Sequence, residues 1–187
     1  MKRLGAFVWA GLLVGFLARP NLLHAQQGRW PPAISAGGGL GWSLGDNRGA
    51  EAVRQLMIEA AVPLKRVGGG AIVGALSGQA VANEANFGDC TVVSERCAIS
   101  VGDHYGVATL LGWSSHASLL RGWRAAAGPN LIVSDYHGTR LGAIVHLDAA
   151  APINQQLSIF GWTRAQWTPI RDDHRTLLLF GAGLRIR

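Results

Sequence analysis

The stretch ISAGGGLGWSL, residues 34–44, reads with a period of two. Its even positions are Ile34, Ala36, Gly38, Leu40, Trp42 and Leu44, and its odd positions are Ser35, Gly37, Gly39, Gly41 and Ser43. One face is apolar and the other small or polar, which describes a β-strand and excludes an amphipathic helix. The glycines form a GxGxxG-like spacing, but Asp46-Asn47-Arg48-Gly49 follows as a turn. A dinucleotide fingerprint needs a helix N-terminus there to hold the pyrophosphate.

Working outward, the same alternation returns along the chain. Leu56, Ile58, Ala60, Val62 and Leu64 oppose Gln55, Met57 and Glu59 within residues 52–64. Ile72, Leu76 and Ala80 oppose Ser77 and Gln79 within 71–82, and Tyr105, Val107, Leu111 and Trp113 oppose His104, Gly106, Gly112 and Ser114 within 104–114. Trp123, Ala125, Ala127, Leu131 and Val133 oppose Arg124, Asn130 and Ser134 within 122–134. Leu141, Val145 and Leu147 oppose Arg140, His146 and Asp148 within 140–152. Residues 157–168 break the pattern in part: Leu157, Ile159 and Trp167 oppose Arg164 and Gln166, yet Phe160 and Trp162 share the Arg164 face. Leu178, Phe180, Ala182, Leu184 and Ile186 finally oppose Gly181, Gly183 and Arg185.

Each segment approaches the ~9–11 residues that a tilted strand needs to cross a bilayer. The connections alternate in character. Asp46–Glu51, Glu84–Asp103, Asp135–Thr139 and Arg171–Arg175 are polar or charged, whereas Lys65–Gly70, Ser115–Arg121 and Asn154–Gln156 are mostly short turns. An even number of antiparallel strands with longer loops on one side describes a closed membrane barrel. An open sheet edge in lipid would leave backbone groups without partners. Trp42 and Trp167 fall near the loop ends of their strands, and Trp113 and Trp123 near the turn ends, all on the apolar face. That placement matches two aromatic girdles on an outer surface. A soluble lipocalin-like barrel or sandwich would pack the same rings inside. The charged residues discriminate, since Glu59, Arg124, Asp148 and Arg164 share the Gly-rich face. Lipid therefore belongs outside, and the expected class is all-β: an eight-stranded antiparallel up-and-down transmembrane barrel.

The start of the chain has another character. Met1-Lys2-Arg3 is basic, Leu4–Ala18 is apolar, and Arg19-Pro20 ends the run before Leu23-His24-Ala25. A short apolar run with these flanks reads as a cleavable secretory signal peptide over residues 1–25, the alternative being an uncleaved anchor. Residues 26–187 are then the barrel domain. Cleavage removes three of the 17 basic residues and none of the 11 acidic ones, so the formal charge falls from +6 to +3. That small surplus and export together argue against a nucleic-acid partner. Cys90 and Cys97 are the two cysteines of the chain. In an oxidising compartment they pair most simply as a disulfide within the 84–103 loop.

The signal peptide, the opening GGGLGWSLG, the stretches RAAAGPNLIV and HLDAAAPINQQLSIFG, and the closing FGAGLRIR resemble the small bacterial outer-membrane barrels of the OmpA-like and OmpX-like group. The resemblance covers most of residues 31–187. It implies an eight-stranded barrel with both termini in the periplasm, inserted by the barrel-assembly machinery. Such barrels commonly end in an aromatic residue, whereas this sequence ends Ile186-Arg187.

A barrel of eight strands has an interior that side chains fill. Charges inside must pair, so Glu59 and Asp148 are expected to balance Arg124 and Arg164 in a lumen network. His146, Gln55, Gln79, Asn130 and Gln166 would supply further hydrogen bonds. The expected function is a structural or surface-interaction role through the extracellular loops, with the lumen plugged. Expected partners are outer-membrane lipid and lipopolysaccharide, with the protein a monomer in the bacterial outer membrane and no cofactor, metal or catalytic residue. Two alternatives stand beside this. A lipid A-modifying barrel enzyme is one, because His116-Ala117-Ser118 resembles the His-x-Ser pair of lipid A deacylases, with His as base to a Ser nucleophile. Leu119 follows Ser118 where that family has Asn, and no acidic residue lies nearby. A soluble periplasmic binder is the other. Asp172, Asp173 and His174, with Tyr136 and His137, read as solvated rim polarity rather than a metal patch.

Overall fold

The alternation becomes eight strands in a computed structural model that describes residues 31–45, 49–83, 104–134, 138–170 and 173–187. The expected signal peptide, Cys90 and Cys97, Tyr136, His137 and Asp172 lie outside the described residues, and of Asp173 and His174 only the backbone is described. In chain order the strands are β1 (Ala33–Gly45), β2 (Gly49–Val67), β3 (Gly70–Asn83), β4 (His104–Ser114), β5 (Gly122–Ser134), β6 (Gly138–Pro152), β7 (Leu157–Ile170) and β8 (Asp173–Ile186). Each pairs antiparallel with its neighbour in sequence. β8 returns to β1, from Ile34↔Ile186 to Gly45↔Arg175, and closes the ring. Closure gives the backbone of every strand two partners and leaves no edge exposed.

The faces sort as a membrane barrel requires and opposite to a soluble one. Leu56 is 69% exposed, Leu141 64% and Leu111 62%, whereas Glu59 is 1%, Arg124 2% and Asp148 5% exposed. Phe160 and Trp162, the residues that broke the alternation in β7, point into the lumen. There they pack with Val53, Met57, Val81, Leu177 and Leu179. Room for the indole comes from missing side chains on β1 and β8. A Cβ on Gly39 would stand 2.7 Å from the Trp162 ring, and one on Gly181 2.6 Å from it. The glycines of the opening motif thus form a slot that Trp162 fills.

Three connections differ from expectation. Lys65–Gly70 is strand as far as Val67, and the turn is only Gly68-Gly69, with Gly68 at φ 60°. A tight hairpin of this kind needs a left-handed residue, which glycine supplies. The strand lengthens because the register shifts between Pro63 and Lys65. One extra residue in β2 there moves Lys65 from the lumen parity to the outer one. Ser115–Arg121 is no plain turn either. It folds inward, burying Leu119 and Leu120, and Leu119 packs with Ala33, Ala61, Ala71 and Val73 across that end of the lumen. At the other end, β8 begins at Asp173 inside what was expected to be the Arg171–Arg175 loop, because its register with β7 runs on to Ile170↔Asp173.

Candidate functional site

Strand register decides which charges meet inside. Arg124 of β5 lies opposite Asp148 of β6, and His146 of β6 opposite Arg164 of β7. Glu59 of β2 lies between Ser35 of β1 and Ser77 of β3, and the lumen is narrow enough for Arg124 to reach it from the opposite wall. Arg124 donates through Nε to Asp148 Oδ2 at 2.7 Å and through Nη2 to Glu59 Oε1 at 2.5 Å. Asp148 Oδ2 also stands 2.9 Å from His146 Nε2, and its Oδ1 accepts from Arg185 Nη2 at 3.0 Å. Arg164 donates Nε to His146 Nδ1 at 3.2 Å, Nη1 to Gln79 Oε1 at 3.1 Å and Nη2 to Ser77 Oγ at 3.1 Å. Its Nη2 also approaches Glu59 Oε2 at 3.8 Å.

These contacts fix the imidazole. A guanidinium only donates, so His146 Nδ1 accepts from Arg164, and the proton resides on Nε2, facing Asp148. His146 is therefore a neutral connector between two ion pairs. Beside them runs an amide chain. Gln55 Nε2 donates to Gln79 Oε1 at 2.6 Å, and Gln79 Nε2 donates to Gln166 Oε1. Asn130 is fully buried against Gly106, where the lack of a Cβ gives its amide space.

Arg185 is the member that sequence reasoning missed. It is 2% exposed and joins three parts of the molecule. Its Nε donates to Ser35 Oγ at 2.8 Å, its Nη1 to the Leu119 carbonyl at 2.9 Å, and its Nη2 to Asp148. Its guanidinium also lies 4.7 Å from the Phe160 ring centroid. The signal was present in the sequence, because Arg185 shares the parity of Gly181 and Gly183. It was absorbed into the closing motif FGAGLRIR instead of being counted with the lumen charges.

On the outer wall, Trp42, Trp113, Trp123 and Trp167 are 48%, 36%, 52% and 45% exposed. Trp113 and Trp123 meet edge to face with centroids 4.9 Å apart, and Trp42 lies 5.4 Å from Phe180. His116 and Ser118 both lie in the inward-folded segment between β4 and β5. The His116 backbone N–H and carbonyl engage Ser114 Oγ, and the Ser118 carbonyl accepts from the Arg121 N–H. Among the described residues no hydrogen bond joins the His116 ring to the Ser118 hydroxyl. No group of three or more His, Cys, Asp or Glu side chains is placed to hold a metal ion among the described residues.

Among solved structures, Neisserial surface protein A aligns over 83% of this chain and 96% of its own, with a TM-score of 0.54 and 13% identity. The fold is that of an eight-stranded outer-membrane barrel. The attachment invasion locus protein of Yersinia pestis, Ail, aligns over 84% of this chain and 99% of its own, with a TM-score of 0.48 and 11% identity. No family model and no curated protein matches the sequence.

Proposed function

We propose that the protein is a bacterial outer-membrane barrel with a structural or surface-interaction role carried by its loops, and with a lumen closed to ions by the Glu59–Arg124–Asp148–His146–Arg164–Arg185 network. One observation carries this reading. An apolar wall surrounds an ionic interior, and only a hydrocarbon environment makes that arrangement favourable. In water, so many exposed Leu, Val, Ile and Trp side chains would form a continuous sticky surface. Membrane lipid and lipopolysaccharide would contact the wall, the barrel-assembly machinery would insert it after export, and the monomer is complete because the sheet has no free edge. The role is non-enzymatic. His116 and Ser118 sit at the end of the barrel where β1 begins and β8 finishes, which the same orientation puts on the periplasmic side, away from the outer leaflet.

Fractionation of cells, heat-modifiable gel migration and protease shaving of intact cells test the proposal together. Recovery in the outer-membrane fraction, a faster-migrating unheated form and surface cleavage within residues 84–103 are expected. Recovery in the soluble periplasm would overturn it. Ser118→Ala leaves the cell's lipid A profile unchanged by mass spectrometry; loss of a deacylated species would restore the enzymatic alternative.

A further inference from the structure

The barrel's two ends differ in charge in a way the lumen does not explain. Of the chain's 11 Asp and Glu residues, Glu59 and Asp148 face the lumen. The remaining nine belong to Asp46–Glu51, Glu84–Asp103, Asp135 and Asp172-Asp173, all on the segments or strand starts that join β1 to β2, β3 to β4, β5 to β6 and β7 to β8. The opposite end, made by Gly68-Gly69, Ser115–Arg121 and Ile153–Gln156, contains no acidic residue. It carries instead the exposed side chains of Lys65, Arg66, Arg121 and Arg187.

The height of Lys65 on the wall is set by register. Lys65 pairs with Ile72 and Ile72 with Trp113, so the lysine shares a lateral row with the Trp113–Trp123 pair. It faces outward there because of the bulge at Pro63/Lys65. Leu64, at 52% exposed, lies next to it on the apolar wall, and Val67, Ile153 and Ile186 line the same end. Aromatic rings with aliphatic neighbours mark the boundary of the hydrocarbon, and long cationic side chains at that height extend to the headgroup phosphates.

We propose that this collar of Lys65, Arg66, Arg121 and Arg187 is a binding surface for anionic glycerophospholipid in the leaflet facing the turn end. The inference rests on the membrane reading above and adds the chemistry of the lipid. With no acidic side chain in the turns at this end to offer a partner, the cations find their counter-charge in lipid phosphate. The geometry selects headgroups with net negative charge over zwitterionic ones, whose own ammonium opposes the collar.

The test uses the full barrel in nanodiscs containing equal phosphatidylglycerol and phosphatidylcholine, with the lipids retained on release counted by native mass spectrometry. Wild-type protein is expected to retain phosphatidylglycerol preferentially. Lys65→Gln/Arg66→Gln/Arg121→Gln lowers that preference by at least about fivefold, the effect of one cation at an anionic surface. Arg187 is left unchanged in every variant. Heat-modifiable migration verifies that the variant is folded, and Arg121→Gln alone serves if the triple variant is not. Normal insertion with equal retention of both lipids, or a preference untouched by the substitutions, overturns the collar while leaving the membrane reading intact. Equal lipid retention with collar-dependent binding of a soluble anionic polysaccharide overturns it in favour of a glycan. Failure of the wild-type chain to enter nanodiscs at all defeats the membrane reading first.

Discussion

Asp148 is the residue on which the lumen converges, since it accepts from Arg124, His146 and Arg185. Asp148→Asn removes the charge that two guanidinium groups share and leaves both buried. Loss of one partner from a buried pair costs about 3–5 kcal/mol, so the urea midpoint of the folded barrel in lipid vesicles is expected to fall steeply. An unchanged midpoint would show that the cluster is hydrated rather than sealed. Gly39 makes a second test. Gly39→Ala sets a methyl group into the Trp162 ring and is expected to destabilise by about 1–3 kcal/mol, with altered near-ultraviolet circular dichroism. Gly38→Ala is the control, because its Cβ would point outward to an ordinary 3.7 Å contact with Leu56. At this scale the sequence was readable as far as parity goes. Alternation put Glu59, Arg124, Asp148 and Arg164 on one face, but it carries no information on reach across a lumen. It left Trp162 as an anomaly because the glycine slot that receives it is completed by Gly39 of β1, more than a hundred residues away in sequence.

Among the elements, β5 contains an unusual residue for a paired strand. Pro129 has no N–H, and the β4–β5 register passes from Ala108↔Asn130 to Leu111↔Ala127 without pairing Thr109 or Leu110. A proline in a central strand removes a ladder hydrogen bond. The backbones are also pressed together here, since a Cβ on Gly128 would run into the Thr109 carbonyl. Thr109 and Leu110 keep their β3 partners Leu76 and Ala75, so hydrogen exchange followed by mass spectrometry is expected to show faster exchange at the one of the two whose N–H is directed at β5. Pro129→Ala returns a donor and is expected to stabilise by about 1 kcal/mol; equal protection along β4 would refute a weak seam. Boundaries were the least legible feature of the elements. Lys65–Gly70 looked like a turn because its Lys, Arg and Gly residues are turn-like in composition, whereas the bulge kept the ladder intact as far as Val67. Likewise Ser115–Arg121 looked like a short loop, and nothing local signals that Leu119 and Leu120 turn inward.

For the molecule as a whole, strand number, antiparallel order and the inversion of polar and apolar faces were all legible, because a period of two repeated along the chain leaves few topologies. Closure was not local information. It followed only from the requirement that lipid-facing backbone be fully paired. With Leu119 and Leu120 across one end and the guanidinium belt behind them, the purified barrel is expected to pass no steady current in a planar bilayer. A stable conductance step would contradict the proposed closure of the lumen.

Ring closure has a consequence for biosynthesis. The Ser35–Arg185 hydrogen bond joins positions 150 residues apart, and the β1–β8 ladder connects the first strand made to the last. A nascent chain one strand short of completion is a curved sheet with two sticky rims, and its Asp148 lacks one of its cationic partners. Loop-closure entropy has to be met before such distant contacts form. The ring can therefore zip shut only once β8 is available to β1, and until then both rims must be kept from pairing with other chains.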